Sequence, residues 1–161
     1  MEDPFKKVLF KYHSNVLNKA VKETMWALEI DADKGHYQLD SIPFYGASIA
    51  TNDIFKATFD ELEGVLVYEN TVTTSENSIV LVMITDEMSD GKLLQQAFKN
   101  RHCDSEALNA SYFSMEIPKS VDYKLIKEVL DDYEIQATIN YAEPCLSKKH
   151  REDLQEISKS N

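Results

Sequence analysis

Ile79–Ile84 is an unbroken run of six apolar residues, four of them β-branched, and no other stretch so limits how the chain can fold. Too short for a helix core and too apolar for a half-exposed strand, it reads as a central strand covered on both faces. It also divides two kinds of pattern. Before it, apolar residues recur with period two: Val8, Phe10, Tyr12; Trp26, Leu28, Ile30; Tyr37, Leu39. Such alternation predicts half-buried strands, with Asp31-Ala32-Asp33-Lys34-Gly35 turning a hairpin between the second and third. Two more strands are expected at Ile54–Phe59 and Val65–Val72, joined through Asp60-Glu61-Leu62-Glu63-Gly64.

After the run, strands alternate with helices. Ser89 or Asp90 can cap a helix carrying Leu93, Leu94, Ala97 and Phe98 on one stripe. Tyr112–Ile117 returns as a strand and stops at Pro118. Ser120 is read as the cap of a second helix, with Asp122 in its first turn and Leu125, Ile126, Val129, Leu130 and Tyr133 at helical spacing. Ile135, Ala137, Ile139 and Tyr141 make a last strand, and residues 147–157 a terminal helix with frayed final residues. The expected fold is α+β: one domain, 1–161, with a mixed, largely antiparallel sheet. A β-rich half spans about 5–74, a ferredoxin-like β-α-β-α-β half about 78–142, and a tail or helix 147–161.

Charge is distributed unevenly. The net formal charge is −11, but residues 23–143 hold 23 Asp and Glu against eight Lys and Arg, while both ends are basic. An acidic surface repels nucleic acid and attracts basic partners. The sharpest acidic groups fall in turns: Asp60, Glu61 and Glu63, then Asp86, Glu87 and Asp90. If these converge on one rim they would steer a cationic partner, which makes them the candidate partner-binding residues. Asp131, Asp132 and Glu134 form a second acidic group near a helix end, where they oppose the helix dipole.

Catalytic and metal-binding patterns are weak. His102, Cys103, Cys145 and His150 could be assembled into a metal set, but adjacent ligands and the lack of a Cys-x-x-Cys pair favour buried thiols and ordinary surface histidines. Asp31-x-Asp33 begins like a calcium loop, yet Gly35, His36 and Ile42 fall where its ligands or its glycine belong. With four glycines and no Gly-x-Ser-x-Gly, P-loop or dinucleotide pattern, the reading is of a non-enzyme without cofactor. Trp26, Tyr37, Phe44 and Tyr45 are read as core or as a protein-binding patch, Trp26 and Tyr37 being in phase with strand apolar positions. Lys6, Lys7, Lys11 and His13 interrupt the first apolar stretch, so neither a secretory signal nor a membrane span is expected, and the location expected is cytoplasmic with reduced cysteines.

Glu23-Thr24-Met25-Trp26-Ala27, then Gly35-x-Tyr37-x-Leu39-x-x-Ile42-Pro43-Phe44, then Asp53 and Ala57, resembles a bacterial family of short proteins classed as a domain of unknown function. The resemblance spans about residues 8–84. Where members carry a Gly-His-Ser-Thr-like stretch, this chain has Ser75-Glu76-Asn77-Ser78. The resemblance implies a fold and a bacterial source but no catalytic residues. Small acidic proteins of this kind also look like immunity proteins of contact-dependent inhibition or polymorphic toxin systems, which implies a basic toxin domain, a nuclease for example, as partner. The alternatives are a regulatory or small-ligand-binding domain, which predicts a closed apolar pocket, and an enzyme, which predicts a cleft gathering His and carboxylates.

Overall fold

The computed structural model describes the backbone of residues 3–159 and the side chains of residues 3–155. The expected fraying of the last residues lies outside the described residues. Five strands form a closed meander: β1 (Phe5–Ser14), β2 (Lys19–Asp31), β3 (His36–Leu39), β4 (Ile54–Asp60) and β5 (Val65–Thr73). Successive strands of a meander alternate in direction, so with five of them the closing pair must run parallel. Val8 and Leu9 of β1 accordingly pair in parallel with Leu66 and Val67 of β5. Gly35 makes the β2–β3 turn at φ 69°.

The barrel is narrow and side chains fill it. Val8, Phe10, Met25, Ala27, Tyr37, Leu39, Phe55 and Ala57 point inward, with Phe10 edge-on to Phe55 at 5.2 Å between ring centroids. In β2 the buried phase is the reverse of the expected one. Met25 pairs with buried Val8 and faces the core, whereas Trp26, expected inside, is 48% exposed. Ala27 occupies a place where an indole would overfill the barrel. Trp26 packs outside under Lys7, whose Nζ lies 5.2 Å from the ring.

The second half is β6 (Ser78–Ile84), α1 (Gly91–Lys99), β7 (Ser105–Asn109), β8 (Tyr112–Ile117), α2 (Tyr123–Ile135), β9 (Ile139–Cys145) and α3 (Lys148–Lys159). The sheet order is β7-β8-β6-β9 with every pair antiparallel. This β-α-β-β-α-β arrangement is the split ferredoxin-like one, and it contains one strand more than the sequence pattern indicated. β7 was hidden because Ser105–Asn109 is a short polar edge strand with no buried position. β6 is central, as its apolar run requires. The last strand starts later than expected: α2 continues to Ile135, which is 82% exposed, and Ala137 turns the chain at φ 60° before Ile139. Its cap is Asp122, which accepts the Lys124 N–H, rather than Ser120.

Helices cover one face of this sheet, burying Val80, Val82, Phe98, Phe113, Met115, Tyr123, Ile126 and Leu130. The other face meets the barrel through the β3–β4 loop. Ala47 and Ile49 of that loop enter the barrel core, while Ile42 and Ala50 pack on Ile79 and Leu81 of β6. Ser114 donates to the Pro43 carbonyl at 2.5 Å, and the Tyr112 hydroxyl donates to that of Phe44.

Two buried carboxylates pin the same loop. Glu23 accepts from the Tyr12 hydroxyl at 2.6 Å and from the Phe44 N–H at 2.8 Å. Asp53 accepts from the Ala50 N–H and, at 2.7 and 2.9 Å, from the N–H and hydroxyl of Ser75. Of the residues that carry the family resemblance, Glu23, Ile42, Pro43, Phe44 and Asp53 fasten the loop between barrel and sheet, while Met25, Ala27, Tyr37, Leu39 and Ala57 fill the barrel.

Candidate partner-binding surface

The acidic turn between β4 and β5 is built by its first residue. Asp60 Oδ1 accepts from the Leu62 N–H at 2.9 Å and the Glu63 N–H at 3.1 Å, and Gly64 closes the turn at φ 68°. Aspartate suits this place because its short side chain reaches backbone donors two and three residues on. Glu63 folds back onto the outer barrel wall, 2.6 Å from Lys11 Nζ and 3.7 Å from Lys22 Nζ. Hydrogen bonding to Lys11 holds its carboxyl below the usual range. Glu61 is exposed, and Leu62 is 99% exposed.

The turn between β6 and α1 repeats the device. Asp86 accepts from the Met88 N–H at 3.0 Å through Oδ1 and from the Ser89 hydroxyl at 3.2 Å through Oδ2. Asp90 then caps α1, accepting from the Lys92 N–H at 2.9 Å. Glu87 is exposed, and Met88 is 92% exposed. Asp60-Glu61-Leu62 and Asp86-Glu87-Met88 therefore share one construction: a leading Asp shapes the turn, an acid follows, and a large apolar side chain stands in solvent.

The two sets lie on different sheets, each bonded within its own turn or to its own wall. Among the described residues, Glu61 and Glu87 make no hydrogen bond or ion pair, so both charges are free to meet a partner. Of the second acidic group, Asp131 is held by the Tyr141 hydroxyl at 2.5 Å, whereas Asp132 and Glu134 are exposed.

Two of the residues considered for chemistry are placed differently from their sequence reading, Cys145 being only half-buried rather than buried. His150 is fully buried rather than on the surface. Its Nε2–H donates to the Pro118 carbonyl at 3.0 Å, which leaves Nδ1 to accept from Ser78 Oγ at 2.6 Å. Ser78 Oγ in turn accepts from the Ser147 N–H at 2.8 Å. Ser78 is also fully buried, so this serine–histidine pair has no access to substrate and serves to lock α3 onto the sheet. The sequence did hold a signal: His150 lies one helical turn before Leu154, on the face of α3 that packs inward.

Burial pushes the Cys103 and Cys145 thiols up to about 12, which keeps them protonated and unreactive at neutral pH. Among the described residues no group of three His, Cys, Asp or Glu side chains is arranged to hold a metal ion. No helix there is long and apolar enough to cross a membrane.

A family model described as "Domain of unknown function (DUF4265)" matches residues 23–141. The fold is similar to that of a solved structure titled "Novel crystal structure of a hypothetical protein from Neisseria gonorrhoeae", with a TM-score of 0.75 and 20% identity over 91% of this chain and 99% of that one. No curated protein matches the chain.

Proposed function

This chain belongs to the DUF4265 domain family, whose description carries no activity, and we propose that it is a binding protein, an immunity-type inhibitor of a basic toxin domain. The observation that carries this reading is the pair of Asp-shaped acidic turns, each displaying one apolar side chain, Leu62 or Met88, almost wholly in solvent. Apolar anchors surrounded by charge are the usual makings of an interface hot spot, because anchor burial supplies affinity and the charges supply orientation and speed. Turns already closed by Asp60 and Asp86 lose little conformational freedom on binding.

The proposed mechanism is stoichiometric occlusion in the cytoplasm. Glu61 and Glu87 take the place of phosphates against a cationic substrate surface, a nuclease being the natural case, and Leu62 and Met88 seat in apolar hollows beside it. A small-ligand role has less support, since Phe98, Phe113, Tyr123 and Leu130 fill the space between sheet and helices.

The test is co-expression. Basic proteins encoded beside this gene are produced alone and together with the chain, and cell survival and nuclease activity are measured. Protection by an equimolar amount, weakened in Leu62→Ala/Met88→Ala, is the expected result. Absence of protection against every neighbouring product, or equal protection by the double variant, would contradict the reading.

A further inference from the structure

A recess of about 260 Å³ lies at the seam where the β3–β4 loop meets the β7–β8 edge of the sheet. Four carboxylates, those of Asp40, Asp104, Glu106 and Glu116, line it, and no Lys, Arg or His does. Two of these acids are held against each other by the sheet. Ser105 pairs with Met115, and the Glu116 N–H donates to the Asp104 carbonyl at 2.8 Å, which sets Asp104 opposite Glu116 across the strands. Like charges directly opposite destabilise a sheet, so this pair carries a cost that a bound cation would relieve. Glu116 registers it: burial first, and the negative charge of Asp104 after it, raise its carboxyl above the usual range.

A second observation concerns a hydroxyl beside these acids. Thr51 lines the same recess and is only 7% exposed, yet its hydroxyl has no hydrogen-bond partner. It lies close enough to Glu116 to lower that carboxyl's affinity for protons in part, without reaching hydrogen-bond geometry. Buried hydroxyls are nearly always paired, and one left open beside an anion calls for a donor-bearing ligand.

From this arrangement we infer that the recess is a site for one guanidinium group, supplied by an arginine side chain of a protein partner. The cavity is below the ~300 Å³ at which sites for whole small molecules begin, and suits a single side chain. Several oxygen acceptors in one recess, with Leu39 and Ile42 in its lining, match the planar five-donor fork of Arg better than the compact ammonium of Lys. That the cation arrives on a protein rests on the binding-protein reading above. The recess itself can be tested without any partner.

The probe is capped arginine, N-acetyl-arginine-methylamide, titrated into the full chain and followed by amide chemical shifts. Capped lysine and the neutral isostere, capped citrulline, are run beside it. Saturable shifts are expected at Thr51, Asn52, Asp104–Glu106 and Glu116, with a dissociation constant on the order of 1 mM. Glu116→Gln and Asp104→Asn, the latter at an exposed residue of the recess, should each weaken binding at least tenfold, while Glu128→Gln on the outer face of α2 leaves it unchanged. No saturation, an equal response to citrulline or to lysine, or undiminished binding by Asp104→Asn would overturn the assignment. A negative result would leave the toxin-inhibitor reading of the acidic turns intact, and failure of those turns to protect cells would leave this titration unaffected.

Discussion

Gly46 shows how tightly single residues are specified where the β3–β4 loop closes on the barrel. Its φ is 93°, and a Cβ there would stand 2.8 Å from Ser14 Oγ and 3.2 Å from Val16. Gly46→Ala therefore combines backbone strain with a clash, and should cost about 1–3 kcal/mol in urea unfolding. His150 makes a prediction about pH. Burial, the largest influence, lowers its pKa from 6.5, so the unfolded chain binds the proton more readily than the folded one. The stability this neutral histidine contributes is complete above pH 6.5 and is lost as pH falls through the lowered folded value. Urea midpoints should thus drop on acidification from neutral pH, and His150→Gln should flatten that part of the profile; an unchanged slope would contradict the buried neutral state.

Among the elements, the helix caps offer the cleanest test, because a single aspartate makes each N-cap bond, Asp90 for α1 and Asp122 for α2, with Asp153 also accepting from the Tyr123 N–H in the first turn of α2. Asp90→Ala and Asp122→Ala should each lose about 0.5–2 kcal/mol, measured by chemical unfolding, while Ser120→Ala, at the position the sequence pattern favoured, should be nearly silent. The elements that could be read from the sequence were those with a clear apolar pattern: alternation in β1, β3 and β4, apolar strand-like runs in β5, β6 and β8, and both helical stripes. The rest escaped for definable reasons. In β2 both phases carry apolar residues, so alternation alone could not show that Met25 and Ala27 face inward and Trp26 outward; only the width of a closed barrel decides that. β7 has no buried residue to betray it, and Ile135 kept a strand-like phase with Ile139 although Ala137 turns the chain between them. For the site, the acidic turns were visible as charge, but their construction was not. It required knowing which Asp oxygens face which N–H groups, and that Leu62 and Met88 find nothing to cover them. The seam recess was not legible at all, since Asp40, Thr51, Asp104 and Glu116 come together only when barrel and sheet meet.

For the molecule as a whole, the β3–β4 loop is what packs the barrel against the sheet. Its apolar residues enter both cores, and Glu23, Asp53, Tyr112 and Ser114 bond it in place. A single unfolding transition is expected by both tryptophan fluorescence, which reports the barrel through Trp26, and far-ultraviolet circular dichroism, which reports the helices. Ser114→Ala, which leaves the buried Pro43 carbonyl unpaired, should lower the midpoint of that shared transition by about 1–3 kcal/mol in stability. The apolar tips of the acidic turns stand outside this frame, so Leu62→Ala and Met88→Ala should shift stability by no more than about 0.5 kcal/mol. That separation of stability from recognition lets binding be measured in a variant that stays folded. The most direct measurement is a calorimetric titration of any basic protein identified by the co-expression test, performed with the wild type and with Leu62→Ala/Met88→Ala at low and moderate salt. Binding at 1:1 that weakens with salt and falls at least tenfold in the folded double variant is expected; equal affinity for both chains, or binding indifferent to salt, would rule out recognition through the acidic turns.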